Sequence, residues 1–84
     1  MNSMRGDRAK VVRSIEDGFR CIDILETPDR MFVFKEFRQD PEDAGRWTLV
    51  KDYSERRFPT QDDALLEAAQ CVAWLAPVLD RGFS

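Results

Sequence analysis

Histidine is absent from the 84-residue sequence, and glycine, proline and cysteine are scarce. Without histidine, the chain lacks the commonest general base and the commonest transition-metal ligand. The four glycines form no phosphate-binding loop, and the few serines have no obvious base to activate them. The composition therefore disfavours an enzyme, and we expect no catalytic residue, no cofactor and no bound metal.

The two cysteines, Cys21 and Cys71, lie far apart in the sequence. We expect both thiols to be reduced and buried; the alternatives are a disulfide or a reactive thiol. Two isolated cysteines do not form a zinc site within one chain. The acidic loop at residues 40–43 has carboxylates that suit calcium, but it lacks the alternating ligands and central glycine of a calcium-binding loop. We interpret it as a solvated turn.

Long apolar runs are also missing, and 35% of the residues are charged. The pattern predicts neither a transmembrane helix nor a signal peptide, because the N-terminal residues lack an apolar segment. We expect one cytoplasmic domain spanning residues 1–84, with no membrane partner. A chain of this length buries a thin core, and residues 1–8 are expected to be disordered.

The clearest single element is a helix that follows Phe58. Thr60 is predicted to cap it by accepting a hydrogen bond from the backbone N–H of Asp63. Alanine and leucine then recur at helical spacing, and the alanines suggest close approach to a flat surface such as a sheet. Pro77 predicts either an end near Ala76 or a kink followed by one more turn to Asp80.

Three segments before this helix predict strands. Residues 19–27, 31–38 and 46–53 are rich in β-branched and aromatic residues, and turn signals separate them. They predict a three-stranded antiparallel meander packed against one C-terminal helix, which is an α+β fold.

The first 18 residues fit two structures. Val11, Val12 and Ile15 match a short helix that ends at Asp17-Gly18, or an irregular arm, and we favour this interpretation slightly. The same residues match an extra strand, with Asp17-Gly18 as the turn of a tight hairpin.

Both faces of the predicted sheet are apolar, whereas one helix covers only one of them. An uncovered apolar face is typical of an association surface, although the N-terminal arm or the C-terminal tail is an alternative cover. We predict a non-enzymatic interaction module that forms a homodimer or binds another protein. The sequence leaves open which face of the sheet packs against the helix. If Phe32 and Phe34 pack against the helix, Val33 or Phe37 replaces them as a contact residue on the uncovered face. The candidate contact residues are Ile22, Ile24, Phe32, Phe34, Trp47 and Trp74, and for Trp74 the alternative is a cap on the edge of the core.

A second hypothesis is an accessory nucleic-acid-binding protein that uses the sheet face. Residues 46–57 carry a local excess of basic side chains, and a three-stranded sheet backed by a helix can read a DNA groove, by analogy with known folds. The net charge of −3 disfavours this hypothesis, because phosphate neutralisation dominates affinity for DNA. The candidate contacts are Arg20, Arg38, Arg46, Arg56 and Arg57, for which a salt-bridged sheet surface is the alternative.

Four stretches carry a resemblance to other proteins: residues 17–20 (DGFR), residues 34–43 (FKEFRQDPED), Trp47, and the helix-entry pattern that begins at Phe58. Together they resemble a group of small bacterial proteins of unknown function with a strand-strand-strand-helix layout. The likeness covers roughly residues 17–76. It implies the fold and carries over no activity and no site residue.

Overall fold

The computed structural model describes residues 9–42 and 45–81, so the predicted disorder of residues 1–8 lies outside the described residues. Neighbouring strands are antiparallel, in the order β1-β2-β3-β4. The predicted α+β class is confirmed, whereas the prediction of three strands and one helix is wrong. The elements are β1 (Lys10–Asp17), β2 (Arg20–Glu26), β3 (Phe32–Gln39), β4 (Trp47–Asp52), α1 (Gln61–Cys71) and α2 (Leu75–Asp80).

The extra strand is β1, where we favoured a short helix or an arm. Asp17 pairs with Arg20, so Gly18 and Phe19 alone form the hairpin loop. Gly18 has a φ of 64°, and a positive φ at the first loop position is what a type II′ hairpin turn requires of glycine. Ile15 of β1 is buried in the core. Pairing along a whole strand and burial of a β-branched side chain outweigh a weak local preference for helix.

The core lies between the sheet and the two helices. The sheet contributes nearly fully buried side chains from three strands, and both helices contribute small or branched ones. Because Ala64 and Ala68 are small, α1 can lie close to the sheet. Neither helix in the described part of the chain is long and apolar enough to cross a membrane. The core residues are Ile15, Ile22, Ile24, Phe34, Ala64, Ala68, Val72, Leu75 and Val78.

The N-terminal cap of α1 is confirmed, whereas the C-terminal end differs from the prediction. The backbone N–H of Asp63 donates to Oγ1 of Thr60 over 3.0 Å. The helix ends at Cys71, because Val72 is extended. Pro77 then lies in the first turn of α2, where its missing N–H would have no partner in any case. Pro77 therefore lies at the start of a second helix and does not end the first one. The prediction of one continuous helix to Ala76 is wrong.

Both outer strands of the sheet contain a β-bulge. The pairing of β1 with β2 skips Val12, and the pairing of β4 with β3 skips Val50. A bulge interrupts the regular ladder and bends the strand, which hinders the addition of a further strand. Neither edge is therefore a good template for pairing with another chain.

Candidate interaction surface

The strand register places a second set of side chains on the side of the sheet away from α1 and α2. We call this surface the open face. It alternates along each strand with the residues that contact the helices. Its members are Val11, Ser14 and Glu16 from β1; Cys21, Asp23 and Leu25 from β2; Val33, Lys35, Phe37 and Gln39 from β3; and Trp47, Leu49 and Asp52 from β4.

The register also arranges the open face in rows that run across the strands. A charged row contains Ser14, Asp23, Lys35 and Asp52. On one side of it lies an apolar row of Val11, Leu25 and Val33. On the other side lie Glu16, Cys21, Phe37 and Leu49, followed by Gln39 beside Trp47. The charged row thus divides the apolar surface in two.

The exposed apolar side chains concentrate where β3 and β4 meet. Trp47 is 38% exposed and Leu49 is 48% exposed, and half-buried Phe37 pairs with Leu49. We call these three residues the apolar corner. In the apolar row, Leu25 and Val33 are buried, and Val11 at the opposite edge of the sheet is 52% exposed. A tryptophan exposed beside other apolar side chains is typical of a binding hot spot.

A hollow of about 180 Å³ lies beside the apolar corner. The hydroxyl of Ser14 donates to Oδ1 of Asp23 over 2.7 Å, and the thiol of Cys21 donates to the same oxygen over 3.3 Å. These polar groups satisfy one another, which leaves none of them poised for proton transfer. The lining residues are Ser14, Glu16, Cys21, Asp23, Phe37 and Trp47.

Burial raises the pKa of the Cys21 thiol to about 11, and the nearby carboxylate of Asp23 adds to this shift. The thiol is therefore protonated at neutral pH and is a poor nucleophile. Both cysteines are free. Cys21 is buried as expected, whereas Cys71 is exposed, because it is the last residue of α1 and lies on the outer side of the helix.

An alkylating reagent at about pH 8 should modify Cys71 and spare Cys21 in the folded protein. About one Cys21 thiol in a thousand is ionised at that pH, and burial also blocks the reagent. Mass spectrometry of the wild type and of Cys71→Ser measures the modification. In concentrated urea both thiols should react. Rapid modification of folded Cys71→Ser would contradict the burial of Cys21.

The predicted contact residues do not form one surface. Ile22, Ile24 and Phe34 are at most 1% exposed beneath the helices, and Phe32 packs partly buried against the same core. This correction has a physical reason: these bulky side chains fill the space between the sheet and the helices. Of the predicted contacts, Trp47 alone lies on the open face. Both named replacements, Val33 and Phe37, also lie there, but Val33 is buried whereas Phe37 is half-buried.

Trp74 lies at the edge of the core on the helix side of the sheet. Its indole N–H donates to Oε2 of Glu36 over 3.2 Å, and the guanidinium of Arg20 lies 5.4 Å from the ring centroid. These contacts hold the ring against the protein. They fit the alternative interpretation of Trp74 as a cap on the core.

The arginines considered for nucleic-acid binding are dispersed. Arg56 pairs with Glu67 at 2.6 Å, and Arg57 pairs with Asp29 at 2.7 Å. Arg20 pairs with Asp17 at 3.5 Å. Arg38 pairs with Arg20 in the register, on the helix side of the sheet, whereas Arg46 precedes β4. On the open face, by contrast, the charged side chains are Glu16, Asp23, Lys35 and Asp52, which sum to a net negative charge.

Within residues 9–42 and 45–81, no group of three or more acidic or cysteine side chains is placed to hold a metal ion. The acidic loop falls only partly in this range, because Asp43 lies outside the described residues.

No protein-family model, no curated protein and no solved structure matches this chain. The resemblance to small bacterial proteins of unknown function therefore stays a prediction.

Proposed function

We propose that this protein is a non-enzymatic interaction module that associates with a second copy of itself through the open face. The apolar corner is the observation that supports the proposal. Trp47 and Leu49 remain 38% and 48% exposed while both described helices cover the other side of the sheet. Their burial would contribute roughly 25 cal/mol per Å² of apolar surface, less the entropic cost of association.

The size of the domain is compatible with such an interface. It measures 36 × 31 × 19 Å, and the short dimension corresponds to one sheet layer and one helix layer. A standard stable interface buries roughly 800 Å² per partner, which would take up most of the broad side of this domain.

Association through the face is favoured over association through an edge. The bulges at Val12 and Val50 interrupt both outer strands, and edge-to-edge pairing needs an uninterrupted ladder. The polar groups of the hollow also favour binding over catalysis, since Ser14, Cys21 and Asp23 are bonded to one another.

Light scattering across a dilution series from about 500 to about 1 μM tests the proposal over the range of weak dimers. We expect a mass near twice that of the 9.8 kDa chain at the highest concentration and a decline toward one chain on dilution. A single chain at every concentration would overturn the proposed self-association.

A further inference from the structure

We infer that the charged row of the open face orients the second copy, about a two-fold axis that runs parallel to the strands between β2 and β3. The inference rests on the proposed self-association and adds which residues face each other. It follows from the order of charges along the row and from the symmetry of a dimer.

The charged row alternates in character from β1 to β4. Ser14 is neutral, Asp23 is negative, Lys35 is positive and Asp52 is negative. Among the described residues, neither Asp23 nor Lys35 forms an ion pair within 4.0 Å, although the register places them side by side. The ammonium group of Lys35 is therefore available to a second copy.

The carboxylate of Asp52 is likewise held in its charged form. The hydroxyl and the backbone N–H of Ser54 both donate to its carboxylate. The hydroxyl bond, more than the nearby charge of Lys35, holds the pKa of Asp52 below its ordinary value.

A two-fold rotation about an axis parallel to the strands places β2 over β3 of the second copy and β1 over β4. The height of each row along the axis does not change. Asp23 then faces Lys35 of the second copy, and Ser14 faces Asp52. Because a two-fold interface repeats each contact, the row makes two ion pairs between Asp23 and Lys35.

A two-fold axis across the strands, at the height of the charged row, gives the opposite result. Each residue of the row would then face its own copy, so that Asp23 meets Asp23 and Lys35 meets Lys35. Like charges placed together across an interface strongly disfavour that orientation. The charged row thus discriminates between the two ways in which the sheets can be stacked.

The shape of the open face is compatible with the same axis. The rotation places Phe37 over Cys21 of the second copy, where the hollow of about 180 Å³ offers room for an apolar side chain. Packed sheets cross at about 30°, which displaces the outer strands more than the central ones. The pairs between Asp23 and Lys35, next to the axis, are therefore the best determined.

Two charge reversals test the orientation. In Asp23→Lys and in Lys35→Asp, like charges meet across the axis, so each variant alone should self-associate on the order of 100-fold more weakly than the wild type. An equimolar mixture places opposite charges at both contacts. We expect it to form heterodimers with an affinity within about tenfold of the wild type. Native mass spectrometry separates the three possible dimers by mass.

The mixture distinguishes contacts between chains from changes within a chain. A substitution that altered the fold would do so in the single-variant sample and in the mixture alike, so recovery on mixing reports contacts between chains. Glu55→Lys, in the exposed turn after β4, is the matched control and should dimerise like the wild type. If the wild type dimerises but each variant alone dimerises as tightly as the wild type, as the axis across the strands would allow, the orientation is wrong and the proposed function stands. The same conclusion follows if the mixture gains nothing over either variant. A monomeric wild type would overturn both.

Discussion

Replacing Phe34 with alanine should lower the free energy of unfolding by about 3–5 kcal/mol. Phe34 is 1% exposed, and its ring stacks on Tyr53 with the centroids 4.6 Å apart. It also lies near Phe58, at 6.2 Å. Truncation leaves a cavity between the sheet and the helices that rigid neighbours fill only in part. Since small domains are stable by about 5–15 kcal/mol, the variant should lose a large share of its stability.

Urea unfolding followed by circular dichroism measures this effect. The control is Leu66→Ala on α1, where the side chain is 63% exposed; it should change the free energy of unfolding by less than about 0.5 kcal/mol. All samples should be compared at one low concentration, because dimerisation would add to the apparent stability. Equal stability of the two variants would contradict the assignment of Phe34 to the core.

Replacing Leu49 with glutamate should dissociate the proposed dimer and leave each chain folded. Leu49 is 48% exposed at the apolar corner, so the new charge is hydrated in the monomer and loses that hydration in the dimer. In the orientation inferred above, it also faces Glu16 of the second copy. We expect self-association to weaken on the order of 100-fold or more.

The control for Leu49→Glu is the same substitution at Leu66, on the helix side of the molecule. Leu66→Glu should keep the mass of the wild type in light scattering. At low concentration, the unfolding free energy of Leu49→Glu should stay within about 1 kcal/mol of the wild type, because the side chain is exposed. Dissociation in both variants, or in neither, would argue against the apolar corner as the interface.

Local sequence signals predict most of the elements of this fold. The cap at Thr60 and the hairpin turn at Gly18 are each specified by a few neighbouring residues. Strands β2 and β4 lie within the predicted segments, and β3 extends one residue beyond its segment, to Gln39. The prediction for β1 is wrong because its few apolar residues match both the helical and the strand periodicity over a short length.

The side of the sheet that meets the helices is harder to predict, because β2 carries apolar residues at both alternating positions. Ile22 and Ile24 point to the helices, whereas Cys21 and Leu25 point away. A usable signal does exist in Asp23, which shares its face with Cys21 and Leu25. Asp23 lies in the middle of β2, the most buried strand, so its charge favours the face that lacks the helices, since burying it unpaired would be costly.

The break between α1 and α2 has no comparable local signal. Residues 61–76 are mostly good helix formers, and Pro77 lies five residues beyond Val72, the first extended position. The connection at Trp74 is held by its bond to Glu36, which is 38 residues away in the chain. Such a contact depends on the tertiary structure and overrides helix propensity.

The bulges at Val12 and Val50 also limit how far this protein can polymerise. A sheet that recruits chains through a regular edge exposes a fresh edge after every addition, and it can grow into a filament. Stacking through the open face consumes the only sheet surface that the described helices leave uncovered, so each pair presents helices to the outside. The proposed assembly would then be self-limiting: it would saturate at two chains and stay dispersed at high protein concentration.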